Sequence, residues 1–222
     1  MLSSVQMSEQ SVFLITGASK GLGRSICEIL ANKGYVVIGL ARQSSELTEL
    51  DSFLKKYNDK SCAIACDLSV PELVNNTARE IVERFPAIHG IIHNAGIIGP
   101  VGNIFTVDEA KWNETLVVNL VSVQQLTRVL YPAMVNAGRC RVTTISSGAA
   151  VNSLESWSAY CTSKAGLDMW TRCLADEGGN DGISAVSIAP GIVDTDMQAT
   201  IRSADRSDFP ICLLYTSPSP RD

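Results

Sequence analysis

The sequence predicts an α/β protein in which a doubly wound parallel sheet is covered by helices on both faces. Six short runs rich in Val and Ile alternate along the chain with longer amphipathic segments. The runs are continuously apolar, which is typical of strands that are buried on both faces. Alternation of strands with helical segments favours parallel pairing, because two parallel strands are joined by a long crossover connection, which is usually a helix.

The predicted elements follow one another over a single domain, residues 8–211. No repeat and no Gly/Ser-rich or Pro-rich linker divides this stretch, and Met7 is an alternative start that would leave residues 1–6 outside the fold. The predicted strands are residues 12–16, 35–40, 61–66, 88–93, 140–145 and 183–189. The predicted helices are residues 21–33, 46–57, 71–84, 106–137 and 157–178.

Composition excludes several functional classes. The chain has 222 residues, of which 45% are apolar and 18% are charged, and its net charge is −5. No apolar run reaches the ~18 residues of a membrane-spanning helix. A pI near 5.1 argues against binding to a nucleic-acid backbone, which needs a basic surface. The first residues lack the basic and apolar segments of a secretion signal, so we expect a cytoplasmic protein without membrane or nucleic-acid partners.

Neither disulfides nor a metal site are predicted. The 7 cysteines include no Cys-x-x-Cys pair, and in a reducing compartment they are expected to be free and to pack as small apolar residues. His89 and His93 fall on a predicted strand, where this spacing separates them by roughly 13 Å. That separation is too large for both histidines to bind one metal ion.

The last residues of the chain, 212–222, are expected to be foreign to the domain. Their sequence, CLLYTSPSPRD, matches the translation of a sequencing-library adapter over its whole length. A native flexible tail rich in Pro and Ser is the alternative. If the tail is adapter-derived, the genuine chain breaks off near Ile211, and we expect the sheet to be truncated before its last strand.

A glycine-rich loop follows the first predicted strand. Residues 16–23 read TGASKGLG and open the first predicted helix. Glycines allow a sharp turn and a close approach of the backbone to a ligand, and the N–H groups at the start of a helix suit a pyrophosphate. Three glycines alone could form a simple tight turn. Their position between strand and helix in the first βαβ unit favours a dinucleotide site.

Basic residues near this loop bear on which dinucleotide binds. Arg42 follows the second predicted strand, where an acidic residue would bind the ribose hydroxyls of NAD(H) and a basic residue would accept the 2′-phosphate of NADP(H). With Lys20 of the loop, Arg42 supplies two positive charges and no carboxylate. A solvated surface arginine is the alternative for Arg42 alone, and the pair favours NADP(H).

Polar residues and glycines also follow the remaining strands. Asp67 follows the third run, Asn-Ala-Gly at 94–96 follows the fourth, and Pro-Gly at 190–191 follows the sixth. Asp67 as a loop cap and Asn94 as an Asx turn are the alternatives. Because the carboxyl ends of all strands meet at one edge of such a sheet, where ligands bind, we expect these residues to surround the cofactor.

Proton-transfer chemistry is predicted at the end of the fifth strand and in the helix after it. Ser146 and Ser147 end the strand, and Tyr160 and Lys164 are spaced to lie on one helical face. An ammonium beside a phenol lowers the phenol pKa from ~10, so that the tyrosine can donate or accept a proton near neutral pH. A half-buried Tyr with an exposed Lys is the alternative.

Taken together, these motifs resemble those of the short-chain dehydrogenase/reductase family. The resemblance rests on Gly-x-x-x-Gly-x-Gly at 17–23, Asn-Ala-Gly at 94–96, Ser147, Tyr-x-x-x-Lys at 160–164 and Pro-Gly at 190–191, and it extends over residues 11–197. It implies a Rossmann-type fold and an NADP-dependent oxidoreductase. His93 stands where the family usually has an Asn, and we expect it to have a packing role.

The family resemblance also implies roles for individual residues. Tyr160 protonates the carbonyl oxygen during reduction, while Lys164 lowers the pKa of Tyr160 and binds the nicotinamide ribose. Ser147 holds the carbonyl oxygen, and Asn119 helps to hold a water molecule in the proton relay. The cofactor-binding residues that the resemblance implies are Gly17, Ser19, Lys20, Gly21, Leu22, Gly23, Arg42, Asp67, Asn94, Ala95, Gly96, Tyr160, Lys164, Pro190, Gly191, Val193 and Thr195.

The substrate expectation comes from a narrower resemblance. Residues 157–169 and 189–198 resemble sepiapterin reductase and the benzil reductases that form (S)-benzoin. This implies reduction of a small ketone or vicinal dicarbonyl to a secondary alcohol. A 3-ketoacyl or other carbonyl reductase of the family, and a non-catalytic NADP(H) sensor, are the alternatives. The family's substrate lid extends beyond residue 211, so the substrate itself stays open, and the apolar helices imply a homodimer.

Overall fold

The computed structural model describes residues 11–191. Its strands are β1 (Val12–Thr16), β2 (Val36–Ala41), β3 (Cys62–Ala65), β4 (Gly90–His93), β5 (Cys140–Ile145) and β6 (Ile183–Ile188). Its α-helices are α1 (Gly21–Asn32), α2 (Ser45–Tyr57), α3 (Pro71–Arg84), α4 (Glu109–Leu116), α5 (Ser122–Asn136) and α6 (Ser158–Gly178). The short turns are a π-helical turn (Val117–Val121) and the 3₁₀ turns Gly148–Ala150 and Gly179–Asp181.

The strands pair in parallel, in the order β3-β2-β1-β4-β5-β6. The chain moves outward from β1 to β3, returns to the centre, and moves outward in the other direction from β4 to β6. The reversal between β1 and β4 opens a crevice at the carboxyl ends of the strands, where doubly wound sheets bind ligands. The predicted doubly wound, Rossmann-type parallel sheet is therefore confirmed for residues 11–191.

Both faces of the sheet are covered, which explains why the strands are continuously apolar. Leu14 and Ile15 are adjacent on β1 and point to opposite faces, and neither side chain is exposed. Leu14 belongs to a large apolar cluster with α3 and α5. Ile15 belongs to a second cluster with α1 and α2. A strand that serves two cores has no polar face to present.

The prediction of one α-helix over residues 106–137 is wrong in detail. Helix α4 begins at Glu109 and is capped by Asp108, whose carboxylate accepts a hydrogen bond from the Lys111 N–H at 3.0 Å. The π-helical turn then separates α4 from α5, and in it the N–H of Ser122 donates to the carbonyl of Val117. A π turn inserts an extra residue into a helix and is frequent at functional sites.

Several expectations concern residues outside 11–191. These are the alternative start at Met7, the break near Ile211, the foreign tail at 212–222, and the cofactor contacts of Val193 and Thr195. Inside this range, none of the helices combines the length and the hydrophobicity needed to cross a bilayer. The 6 cysteines in the same range are free, and burial raises the pKa of Cys27 and Cys140 to about 12.

Candidate active site

The glycine-rich loop joins β1 to α1 through positions that a side chain cannot occupy. Gly17 has φ +66°, a left-handed conformation that L side chains rarely adopt. A Cβ at Gly17 would lie 2.9 Å from the Cα of Ala95, and a Cβ at Gly23 would lie 2.2 Å from the carbonyl oxygen of Gly17. The loop, the start of α1 and the segment after β4 are therefore in direct backbone contact.

Asn94 ties this loop to the end of β4. Its Nδ2 donates to the carbonyl oxygens of Thr16 at 3.0 Å and Gly17 at 3.2 Å. In return, the hydroxyl oxygen of Thr16 accepts from the backbone N–H groups of Asn94 and Ala95, both at 3.1 Å. Asn94 thus bridges two strand ends that are far apart in sequence, instead of forming a local Asx turn.

The start of α1 fits the pyrophosphate of a dinucleotide. Lys20 is the N-cap residue, and its side chain makes no capping hydrogen bond. The first N–H groups of an α-helix have no partner within the helix, and the positive end of the helix dipole favours an anion there. Beside them, Gly17 and Gly23 carry no side chain, and a Cβ at either position would lie less than 3.0 Å from a backbone atom. These residues would hold the pyrophosphate of a nicotinamide dinucleotide, and their contacts with it stay a prediction.

A groove of about 570 Å³ lies beside the glycine-rich loop. The predicted residues that line it are Gly17, Ser19, Lys20, Arg42, Asp67, Ala95 and Gly96. Asp67 has two roles there, because its Oδ1 also accepts hydrogen bonds from the N–H (2.9 Å) and the hydroxyl (2.8 Å) of Ser69. These bonds, together with the charge of Arg42, lower the pKa of Asp67.

The groove contains a carboxylate that the sequence did not predict. Glu46, in the first turn of α2, forms an ion pair with Lys20 at 3.0 Å and lines the groove. Hydrogen bonds from its own backbone N–H and from Lys20 and Ser44 lower the pKa of Glu46 to about 2. Glu46 therefore adds a carboxylate beside the two cations that the sequence predicts, Lys20 and Arg42. An acidic residue soon after the N-cap Ser44 was the available signal, since helix starts favour carboxylates.

Tyr160 and Lys164 are both buried on α6 at the same edge of the sheet. The Nζ of Lys164 donates to the carbonyl of Ile145, the last residue of β5, at 2.7 Å. It lies 5.6 Å from the centroid of the Tyr160 ring. Burial lowers the pKa of Lys164 to about 8, with the charge of Asp168 acting in the opposite direction. The predicted pair is therefore brought together, with Lys164 buried where the alternative expected it to be exposed.

Asn119 lies in the π-helical turn, and both polar atoms of its side chain make hydrogen bonds. Its Oδ1 accepts from the N–H of Ile97 at 2.8 Å, and its Nδ2 donates to the carbonyl of Ile97 at 2.8 Å and to Ser163 Oγ at 2.9 Å. Ser163 in turn donates to the carbonyl of Tyr160 at 2.8 Å. Asn119 therefore links the segment after β4 to the helix that carries Tyr160. Gly96 completes the contact, since a Cβ there would lie 3.4 Å from both Asn119 Oδ1 and Lys164 Nζ.

Ser147 follows β5 and begins the 3₁₀ turn Gly148–Ala150. Its Oγ accepts from the N–H of Ala149 at 3.2 Å, and the residue is half-buried. Ser146 is more deeply buried, and its Oγ has no hydrogen-bond partner among residues 11–191. Ser147 is therefore the more accessible of the two serines, in line with its selection from the sequence.

A small apolar cluster surrounds Tyr160. Buried Ile98, Ala149 and Trp157 pack with it, and the rings of Trp157 and Tyr160 meet edge to face with their centroids 5.6 Å apart. The cluster joins the 3₁₀ turn after Ser147 to the start of α6. It fixes the phenol ring by packing and places apolar side chains around it.

Pro190 and Gly191 follow β6 at the same edge of the sheet, as the sequence predicts. Both residues are exposed, and Gly191 has φ +77°. Neither lines the groove beside the glycine-rich loop. The structure therefore places them at the correct strand end and leaves their expected cofactor contact as a prediction.

His93 is buried at the end of β4, as expected for a packing role. Its Nε2 lies 2.8 Å from the hydroxyl of Thr127, which itself donates to the carbonyl of Val123. The Thr127 oxygen must therefore accept from Nε2–H, which makes His93 the neutral Nε2–H tautomer. Its Nδ1 has no hydrogen-bond partner among the described residues. Burial lowers the pKa of His93 to about 3.

We expect His93→Asn to reduce the loss of stability on acidification. Between the unfolded pKa of 6.5 and the folded pKa of about 3, only the unfolded chain binds the proton, so the free energy of unfolding falls as the pH falls. From pH ~6.5 to pH ~5, the original protein should lose about 1.5 kcal/mol more than the variant. Urea unfolding at both pH values measures this, and equal losses would contradict a neutral His93.

Comparison with known proteins gives the same family along most of the chain. The model of the short chain dehydrogenase family matches residues 11–206. A benzil reductase ((S)-benzoin forming) of Bacillus subtilis (strain 168) is 34% identical over 205 residues, which cover 89% of this chain and 81% of the relative.

Solved structures extend the similarity to three dimensions. The crystal structure of the KRED1-Pglu enzyme has a TM-score of 0.84 at 34% identity, covering 93% of this chain and 85% of that one. A short chain dehydrogenase of Shigella flexneri 2a, crystallised with NADP, has a TM-score of 0.80 at 26% identity, with coverages of 92% and 89%. With its sheet order, its glycine-rich loop and this family match, the chain belongs to the short-chain dehydrogenase family of oxidoreductases.

Proposed function

We propose that this protein reduces a small ketone or vicinal dicarbonyl to a secondary alcohol with NADPH, and that Tyr160 donates the proton. The observation that carries the proposal is the buried Tyr160–Lys164 pair at the carboxyl edge of the sheet, where Lys164 Nζ lies 3.4 Å from the Cβ position of Gly96, a residue that lines the groove. When bound, the nicotinamide cofactor supplies the hydride. A carbonyl then needs one proton on its oxygen to become an alcohol, and the phenol of Tyr160 provides it.

Lys164 makes this proton transfer favourable. A positive charge near the phenol stabilises the phenolate that remains after the proton has left, which lowers the pKa of Tyr160. The Ile145 carbonyl holds the ammonium in place. Ser147, the more accessible serine after β5, is proposed to donate a hydrogen bond to the substrate oxygen. The three side chains therefore have separate roles, in which Tyr160 donates the proton, Lys164 supports it electrostatically and Ser147 positions the substrate.

Asn119 is assigned a positioning role. Both hydrogens of its Nδ2 are used, one toward the Ile97 carbonyl and one toward Ser163, so its side chain has none left to donate to a water molecule. Its Oδ1 can accept two hydrogen bonds and accepts one, from the N–H of Ile97, so the water-holding role that the family resemblance implies stays a prediction. Asn119 also holds the segment after β4 against the helix of Tyr160.

NADP(H) is the proposed cofactor because two positive charges, Arg42 after β2 and Lys20 at the start of α1, lie beside the groove. Arg42 and Lys20 both line the groove, and Arg42 acts electrostatically on Asp67. A 2′-phosphate would gain the Arg42 guanidinium as a partner and would compete with Glu46 for Lys20. The NADP in the crystal structure of the Shigella flexneri relative supports this choice.

We expect the enzyme to oxidise NADPH in the presence of benzil, and to bind NADPH more tightly than NADH. The substrate class is supported by the benzil reductase relative and by the apolar cluster around Tyr160. The assay follows NADPH absorbance with benzil, sepiapterin and a 3-ketoacyl thioester. A higher kcat/KM for the thioester than for both benzil and sepiapterin would overturn the substrate proposal.

The cofactor proposal is tested by Arg42→Asp. Loss of a charge-assisted contact to the 2′-phosphate should weaken NADPH binding about ten- to a hundredfold, while NADH binding should be maintained or improved by the new carboxylate. Fluorescence titration measures both dissociation constants. Arg79→Asp, at an exposed position on α3, makes the same charge change away from the groove and is the control. Equal weakening of NADPH and NADH would contradict the proposal.

A second copy of the chain is the proposed protein partner. Val121, beside α5, and Tyr131 and Val135 on α5 are exposed, as is Met169 on α6. Apolar side chains exposed in the π-helical turn, on α5 and on α6 support a homodimer formed through these helices. Sedimentation equilibrium distinguishes a dimer from a monomer, and a strict monomer would contradict this part of the proposal.

A further inference from the structure

The charge of Lys164 is costly in this fold. Its side chain is almost completely buried in α6, and its Nζ donates to the neutral carbonyl of Ile145. Moving an ammonium out of water disfavours its charged form unless another charge or a set of hydrogen bonds compensates. Since the proposed reaction needs Lys164 as a cation, another group must help to keep the proton on it.

Asp168 is placed to supply that compensation. It lies four residues after Lys164 on α6, and residues at this spacing are neighbours on one helical face. Asp168 is half-buried, so its charge is less screened than that of a surface carboxylate. The charge of Asp168 raises the pKa of Lys164, against the lowering caused by burial.

The carboxylate of Asp168 is itself fixed by the sheet. Its Oδ1 accepts a hydrogen bond of 2.5 Å from the hydroxyl of Ser187 on β6. Ser187 is paired with Thr144 on β5, one residue before the Ile145 carbonyl that holds Lys164. The Ile145 carbonyl that holds the ammonium and the Ser187 hydroxyl that holds the carboxylate thus lie on adjacent strands of the sheet.

Apart from Asp168, the groups around Lys164 in the described part of the chain carry no negative charge. On its own helix, the titratable neighbours are Tyr160 and Asp168. From the other elements, the Ile145 carbonyl on β5 accepts its hydrogen bond, and the Cβ position of Gly96 after β4 lies 3.4 Å from Lys164 Nζ and equally far from Oδ1 of Asn119 in the π-helical turn. The groups from these other elements are neutral, so Asp168 is the carboxylate whose charge acts on Lys164 within the part of the chain that the structure describes.

We propose that Asp168, held by Ser187, is a positioning residue that keeps Lys164 protonated while Lys164 supports proton donation by Tyr160. The catalytic part of this inference rests on the proposed function. The effect of the Asp168 charge on the protonation of Lys164 does not require a bound cofactor.

The direct test is an NMR titration of the protein with ¹³C-labelled lysine side chains. The Lys164 resonance is assigned by its loss in Lys164→Met. In Asp168→Asn the titration midpoint of Lys164 should fall by about one pH unit, the size of effect that one nearby, partly screened charge produces. Asp176→Asn removes an exposed carboxylate further along α6 and is the matched control. Equal midpoints in the two variants would overturn the proposal.

A kinetic readout separates the electrostatic role from a structural one. In Asp168→Asn the high-pH decline of kcat/KM for reduction should begin about one pH unit lower, because Lys164 loses its proton earlier. The rate should approach that of the original enzyme at pH ~6, where Lys164 is charged in both. A merely structural defect would lower the rate equally at all pH values, and that result would overturn the proposal.

Ser187→Ala keeps the test decisive if Asp168→Asn does not fold. It leaves the carboxylate in place and removes its anchor, so the midpoint of Lys164 should shift in the same direction by a smaller amount. An unchanged midpoint in this variant would contradict the anchoring role of Ser187. If the midpoint shifts as expected and no substrate is reduced, the electrostatic proposal holds and the proposed function fails.

Discussion

Replacing Tyr160 with Phe is expected to lower the turnover number of carbonyl reduction between a hundred- and ten-thousandfold, the range that loss of a general acid produces. The substitution removes only the hydroxyl group. The ring can still pack edge to face against Trp157 and stay beside Lys164. Since the hydroxyl is the proposed proton donor, the loss should fall on turnover, while NADPH binding should change little.

The measurement is steady-state NADPH oxidation, combined with fluorescence titration of NADPH and thermal unfolding of the same variant. Tyr57→Phe is the matched control, because Tyr57 is exposed at the end of α2, and this variant should keep the full rate. If Tyr160→Phe also kept the full rate, Tyr160 would not be the proton donor. If the variant lost NADPH binding as well, its lower turnover would be explained by a disturbed cofactor site and not by the loss of a proton donor. The donor role of Tyr160 would then lose its support.

Replacing Gly23 with Ala is expected to weaken NADPH binding at least tenfold, which corresponds to about 1.4 kcal/mol. The added Cβ would lie 2.2 Å from the carbonyl oxygen of Gly17 and 2.5 Å from Nδ2 of Asn94. The first atom is backbone, and the second belongs to a side chain held by two hydrogen bonds. Relief therefore requires α1 and the loop to separate, which moves the N–H groups proposed to bind the pyrophosphate.

Gly179→Ala is the control for this variant. Apart from its chain neighbours and the backbone of its own helical turn, no heavy atom of residues 11–191 lies within 4 Å of a Cβ at Gly179, and its backbone is helical, with φ −58° and ψ −39°. NADPH binding should be unchanged in Gly179→Ala, and its thermal stability should be equal or slightly higher, because alanine restricts the unfolded chain. Tight NADPH binding by Gly23→Ala would show that the close packing at this loop is not needed for the cofactor.

The sequence determined the architecture because the signals for it are local. Continuous apolar runs such as the one through Leu14 and Ile15 identified strands with a core on each side, and the structure places these two side chains in different clusters. The spacing of Tyr160 and Lys164 indicated one helical face. The glycines at 17–23 indicated a backbone turn between strand and helix. Each of these features depends on residues that are close together along the chain.

The tertiary structure decided how the charges and polar groups of the site are paired. Glu46 forms an ion pair with Lys20. Asn94, at the end of β4, donates a hydrogen bond to the first loop, and Ser187 on β6 donates one to Asp168. The sequence pattern of residues 106–137 predicted an unbroken helix and did not indicate the π-helical turn that positions Asn119. These features bring together groups that are distant in sequence. Their pairing depends on strand order and on the packing of helices against the sheet, and neither is encoded in the spacing of neighbouring residues.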